Sequence, residues 1–561
     1  MAKTAKKPDL QNLPACAAEF IKLVVKKMRY RRKVRNDVRA ELAAHFEDEL
    51  KQCKSDPEKQ EKARQLIENF GDAKLLGVLL RRAKKRCRPL WRTIFARTFQ
   101  TFGVLILSFI IYCFYISLGE PSINVNYIEE ATRLARPIAD ENLNAAALYQ
   151  KAIDAYSKPP LVAHDTSTEQ IDLLKAIRGK DWPTDLTKEE LASLKQCLSD
   201  NTEAIAFFRQ ASQKPHCWWK REAKDDIIWN VLMPELSSIR NLAKMIVWQV
   251  KLKAYNGDVE GAFDDLLACC RTAQHFKGPR SLVDQLVGIA IQALSLKSAI
   301  VILENQQVSS QLLKSFQAEL EKLMAEDTYI MNYETERFYT MDFVQRCYTD
   351  NGKGSGHLIP GQLKEFMAMI NGEQEDEDNL EDVAQSWLLA ILGANRRKIV
   401  SEFNQFYDIA QDKAHKTPWQ LREEKDDLEM EVEKWSTLMR ARYWPIQVFM
   451  PALSKISELS YRIKADTEAT LTIIAIFRYK QDVGAYPEKL EALIKAGYLK
   501  QLPMDPWSDK PLVYKKTDDG FMLYGVGRNF KDDSGEVARG DKGRVKRYAD
   551  EGDWVFWPVQ R

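Results

Sequence analysis

The hydrophobic pattern divides the chain at one stretch. Thr98–Leu118 runs for 21 residues without a charge, and a bilayer core of about 30 Å needs about 20 apolar residues at helical rise. A helix also satisfies its own backbone in lipid, so the stretch predicts a single transmembrane span. Before it, apolar residues recur at helical spacing: Phe20, Val24, Val25 and Met28, then Val34, Val38, Leu42, Phe46 and Leu50. This predicts two helices broken near residues 30–33. A third begins after Ser55-Asp56-Pro57 and ends at Gly71-Asp72, and a fourth leads into the span.

Beyond the span the pattern stays helical. A helical pair is predicted over Asn126–Tyr156, then a polar stretch to Asp185 and helices within Lys188–Ser212. Leu236–Tyr255, Val259–Phe276 and Ser281–Leu303 read as three successive helices, the last nearly all apolar on one side. Long helices resume over Val383–Gln411, Pro418–Leu438 and Pro451–Tyr479. Only the last hundred residues change character. Leu512–Lys516 and Phe521–Val526 are β-rich and flank Asp519-Gly520, which predicts a hairpin.

Charge orients the span. Arg81–Arg92 holds seven basic residues and no acid, whereas Glu120, Glu129 and Glu130 precede the first basic residue on the far side, Arg133. Lys and Arg resist translocation. The N-terminal part is therefore expected in the cytoplasm of an inner, cytoplasmic membrane, and the large body outside. The basic prefix favours anionic lipid at about 1 kcal/mol per near-surface cation. Nucleic acid is the competing partner, and no DNA-binding motif accompanies the charge. Net charge is only +3, so the asymmetry lies in the layout.

Candidate chemistry is sparse. The nine cysteines include no C-x-x-C, and five of them fall beyond the span. An odd number argues against a fully paired framework; a Cys197–Cys217 bridge and buried thiols are the two readings. The six histidines stand apart in sequence and lie in no metal spacing. Glu41, His45 and Glu49 share one helix face, as a metal site or as an ion-paired surface. Asp350-Asn-Gly-Lys-Gly-Ser-Gly lacks both phosphate-loop and calcium-loop spacing, which leaves a flexible connection. The acidic run Glu373–Asp382 reads as a solvated loop. Pro215–Trp229 sets Trp218, Trp219 and Trp229 beside Asp225 and Asp226, either as a sugar platform or as a helix packed into the core.

Three resemblances follow from these residues. DVRAELAAHFEDELKQCKSDPEKQEKARQLIENFGDAKLLGVLLRR resembles the helical prefix domains of the HAAS or permease-prefix type, which implies a regulatory or interaction module. Ala254, Gly257, Asp258 and Ala262 resemble the turn of a tetratricopeptide repeat, without a regular period. From Ala465 to Asp553, the order helix, YPEKLEAL, YLKQLPMDPW, LVYKK and LYGVG resembles the globular end of type II secretion major pseudopilins. That resemblance implies a helix on a small antiparallel sheet and calcium bound in the terminal loop, here by Asp532, Asp533 and Asp541. Arg528, Lys531, Arg539 and Arg544 crowd the same stretch and oppose a cation.

The expected architecture is mainly α: a cytoplasmic prefix (1–92), a transmembrane helix (98–118), an extracytoplasmic irregular helical array (124–460) and a pseudopilin-like α+β domain (461–561). Bacterial single-pass envelope proteins built from such fusions are similar. The expected function is that of a membrane-anchored scaffold binding protein partners, linked to secretion or pilus-like assemblies, with no catalytic residues and no cofactor assigned beyond the calcium candidates. The alternative is an extracytoplasmic hydrolase with paired carboxylates in the helical body; a third is a regulator sensing cytoplasmic partners.

Overall fold

The computed structural model describes residues 10–86, 90–138, 140–164, 167–323, 329–371, 380–425, 435–449, 453–540 and 543–560. The protein is mainly helical and forms two compact units, Met1–Phe114 and Tyr115–Arg561.

In the first unit, helices Ala15–Lys27, Arg32–Leu50, Asp56–Phe70 and Ala73–Arg86 close on their own core. Phe20, Val24, Met28, Val38, Leu42 and Phe46, the periodic positions of the first two helices, are its buried residues. Gly71, at φ +69°, ends the third helix, and Asp72 caps the fourth through Lys74 N and Leu75 N. Gly77 lets that helix approach closely: a Cβ there would sit 3.0 Å from Val24 O. On the Glu41/His45/Glu49 face, Lys84 pairs with Glu41 at 2.6 Å, and the His45 ring stands edge-on to Phe70. The face is used for pairing and packing.

Among the described residues, two helices are long and apolar enough to cross a membrane. Ile94–Ser117 is 6% buried and Leu282–Asn305 is 67% buried. The second is the central helix of the larger unit, packed by Pro234–Tyr255, Val259–Gln274 and Leu453–Val483.

Two hydrophobic cores fill the larger unit. One gathers helices Ala146–Asp154, Thr202–Ser212, Pro234–Tyr255, Val259–Gln274, Leu282–Asn305 and Ser310–Leu323. The other lies among Glu334–Cys347, Pro360–Asn371, Leu380–Leu392, Arg396–Ala414 and Trp444–Phe449. The hairpin is present, with Val513–Lys516 antiparallel to Phe521–Gly525, and Trp554–Trp557 adds the third strand beside Phe521–Gly525. A second hairpin, Leu161–His164 with Ser167–Asp172, occupies the stretch read only as polar.

Helix Leu453–Val483 joins the parts. Its buried residues Ile463, Ala469, Ile473, Ile474 and Ile476 belong to the same core as the helical array and as Leu523, Trp554 and Phe556 of the sheet. The boundary expected near residue 460 therefore falls inside a helix whose two faces serve both sides, and the core is continuous across it.

Residues 348–359 are pinned by hydrogen bonds. The Asp350 carboxylate accepts from Gly352 N and Gly354 N and pairs with Arg396. Gly356 N–Cα backbone lies so close to Thr349 that an added Cβ would fall 1.5 Å from Thr349 O. His357 Nε2 lies 3.0 Å from Leu118 O, and its ring is 4.6 Å from that of Tyr115.

Candidate functional site: a basic cleft

A cavity of ≈ 1130 Å³ opens between the helical array and the C-terminal sheet, within the larger unit. Helix Pro234–Tyr255 supplies one wall. Arg240, Lys244, Val247, Trp248 and Lys251 lie at spacings of three, four and seven residues, so they share a face. Asp172 accepts from Leu174 N and Lys175 N, capping the short helix Leu173–Ala176. The helix and the turn at Gly179 (φ +91°) carry Lys175, Arg178 and Lys180 to the rim. Helix Leu282–Asn305 contributes Leu294, Lys297 and Val301, and the last strand and its approach contribute Lys546, Arg547, Trp554, Phe556 and Val559.

Cations outnumber acids on this surface. Lys297 is taken by Asp181 at 2.7 Å, Lys180 by Glu190 at 2.5 Å and Arg547 by Asp466 at 2.7 Å. Lys175, Arg178, Arg240, Lys244, Lys251 and Lys546 make no ion pair among the described residues. Burial, then the neighbouring Arg240, Arg178 and Lys175, lower the Lys244 pKa.

Lys251 lies deepest. The residue is 6% exposed, and among the described residues its ammonium has no hydrogen-bond acceptor or ion pair; it sits 4.4 Å from the centroid of the Trp248 ring. Burial pushes its pKa down to about 8, against the pull of Asp181 and with the push of Lys297. A buried cation without a partner is costly, and Trp248 offsets only part of that. Nearby, the Trp554 indole Nε1 is buried without a hydrogen-bond partner.

The carboxylates of the cleft are all engaged. Asp466 accepts from Arg547 and from the Tyr548 hydroxyl; burial raises its pKa. Asp553 accepts from Asp533 N (3.1 Å) and Gly535 N (2.6 Å), and burial raises its pKa too. Close by, Asp505 accepts from Trp507 N, Val526 N and the Ser508 hydroxyl while burial pushes it up to about 6. These acids knit the C-terminal loops together.

Of the sequence-derived calcium candidates, Asp532 and Asp533 are not part of the cleft lining. Asp532 accepts from the Tyr524 hydroxyl and Ser534 N, both at 2.9 Å, and Asp533 accepts from Asn529 Nδ2. Asp541 lies outside the described residues, as does most of the Glu373–Asp382 run. Among the described residues no group of three metal-ligating side chains gathers. Cys197, Cys217, Cys269, Cys270 and Cys347 are buried free thiols, with no Cys197–Cys217 bridge. His275 is buried between the Tyr149 hydroxyl and Lys214 O, and burial pushes its pKa down to about 4.

Pro215–Trp229 is irregular apart from a short turn at Ile228–Asn230, not the helix expected, yet its aromatics do pack inward. Trp218 is buried, Trp219 stacks between Tyr149 and Phe276, and Trp229 lies among Tyr339, Phe366 and Phe449. Asp225 is used by Ile227 N and Asn230. Within this segment Arg221 bridges Glu235 and Asp284 at a cavity of ≈ 30 Å³, about the room of one water.

Comparisons with protein-family models, with curated proteins and with solved structures return no match.

Proposed function

We propose that the protein is a membrane-anchored, extracytoplasmic scaffold of the bacterial envelope, and that the basic cleft is where it holds a protein partner. The observation that carries this reading is the cleft itself: a large concave surface whose cations are mostly unpaired among the described residues, with the largely buried Lys251 among them. Pockets with a few convergent polar groups on apolar walls are binding sites by default. The hydrolase alternative needs a free carboxylate pair, and the acids lining this cleft are committed to structural hydrogen bonds.

Anchoring rests on helix Ile94–Ser117. Phe95, Phe99, Phe102, Leu105 and Phe109 lie exposed on it, a surface suited to lipid. The basic run before it and the acids after it set the body outside. The prefix then faces the cytoplasm as an interaction module of the permease-prefix kind. The long helix on a three-stranded antiparallel sheet is what the pseudopilin resemblance implies, and it supports a link to secretion or pilus-like assemblies.

Cysteine labelling tests the topology. A Leu161→Cys variant places a thiol at an exposed residue of the body. It is expected to react with a membrane-impermeant maleimide in intact spheroplasts, whereas Leu23→Cys, exposed on the prefix, reacts only after lysis. The reverse pattern would overturn the orientation. A photo-crosslinker at Lys546 is then expected to trap an envelope protein, and the adduct to disappear when Lys244 is changed to Glu.

A further inference from the structure

The cleft is selective in what it offers. On helix Pro234–Tyr255 the free cations form a line, Arg240, Lys244 and Lys251. At helical rise they span about 16 Å, with about 6 Å between the first two. Phe556 and Val559 on the C-terminal side of the cavity carry no charge. An extended peptide repeats same-face side chains about 6.6 Å apart and turns the intervening ones the other way. Acidic residues at alternate positions meet Arg240 and Lys244, and the next one, at about 13 Å, falls about 3 Å short of the level of Lys251, within reach of a flexible lysine stem; apolar residues between them match the uncharged part of the lining.

Other anions match less well. A sugar site wants a bare aromatic face. Here Trp248 is covered by the Lys251 ammonium, and Trp554 packs edge-on to Trp507 at 4.2 Å and lies under the Arg462 guanidinium. A compact phosphate would meet only the cations gathered around Lys244, which are Arg240, Arg178 and Lys175, and would leave Lys251 and the apolar lining unused.

We infer that the cleft binds an extended peptide segment in which acidic and apolar residues alternate, with one carboxylate seated on the Lys251 ammonium. This rests on the reading of the cleft as the partner site and names the chemistry of the partner. Lys251 anchors the segment at the deep end, Arg240 and Lys244 set its direction, and water leaves the apolar lining as it seats. Charge-assisted contacts in a desolvated pocket are the strong ones.

The test uses the detergent-solubilised full-length chain and a fluorescein-labelled hexapeptide, Glu-Leu-Glu-Leu-Glu-Leu, read by fluorescence anisotropy against empty micelles. Saturable binding is expected, weakening with added salt. Lys251→Met and Lys244→Glu are each expected to weaken it at least tenfold, and Lys495→Glu, exposed and outside the cleft, to leave it unchanged. Lys244 is half-buried at the surface, so its variant keeps the test meaningful even if another variant misfolds. Equal affinity of the two cleft variants and the parent would overturn the inference. So would displacement of the peptide by hexaglucuronate or tripolyphosphate at a concentration comparable to the peptide's own. Neither result touches the membrane topology, which the maleimide labelling reads separately. A body found on the cytoplasmic side would sink the envelope reading and leave the peptide site standing.

Discussion

Replacing Lys251 with methionine is expected to stabilise the protein at pH 7, by about 1–3 kcal/mol, while weakening the cleft's hold on an acidic ligand. The folded chain keeps a lysine that is 6% exposed, its ammonium without a partner among the described residues; the unfolded chain gives it back to water. Because burial lowers its pKa from 10.5 to about 8, the penalty is full below pH 8, where both states carry the charge. It fades between pH 8 and 10.5, as the folded state releases its proton first, and is gone above that. Parent stability should therefore rise through this window relative to the variant, and the gap between the two should close. Thermal unfolding of both proteins at pH 7, 9 and 10.5 measures this. A variant less stable than the parent at pH 7 would show that the ammonium has a partner inside the fold. Stability sacrificed at one residue is a mark of a functional position.

The opposite sign is expected at Arg221. Its guanidinium bridges Glu235 and Asp284, whose side chains are 9% and 5% exposed. Changing Arg221 to methionine leaves two buried carboxylates facing each other, and a loss of about 3–5 kcal/mol is expected. Adding Glu235→Gln and Asp284→Asn should recover most of that loss, since no buried charge then lacks a partner. Urea unfolding of the single and triple variants measures both steps. Loss in the triple variant equal to that in the single one would mean that Arg221 acts through packing instead.

The sequence disclosed the helices well and the cleft poorly, for physical reasons. Phe20, Val24, Met28, Val38, Leu42 and Phe46 stand at helical spacing because they face one core, and such periodicity is local. The hairpin at 161–172 was hidden because Ser167–Asp172 is mostly polar and Leu161–His164, four residues long, is too short to show alternation. The cleft cations come from four separate parts of the chain, Lys175 to Lys546, and only Arg240, Lys244 and Lys251 share a helix. Three basic residues on one face beside Val247 and Trp248 were the available signal, an interruption of an otherwise apolar stripe. That stripe reads as ordinary core until the C-terminal strand is brought beside it. The calcium candidates came from the pseudopilin resemblance, and their carboxylates already serve neighbouring hydroxyl, amide and backbone donors where they are described.

The helix Leu453–Val483 sets the order in which the larger unit can be finished. Leu282–Asn305 is synthesised long before it and buries an apolar flank against it, while Trp554 and Phe556 complete the same interior later still. Contacts between such distant parts of a chain form slowly. While the chain is made, the early helices must wait with greasy flanks uncovered until those late residues emerge, so this body should be a steady customer for holding chaperones.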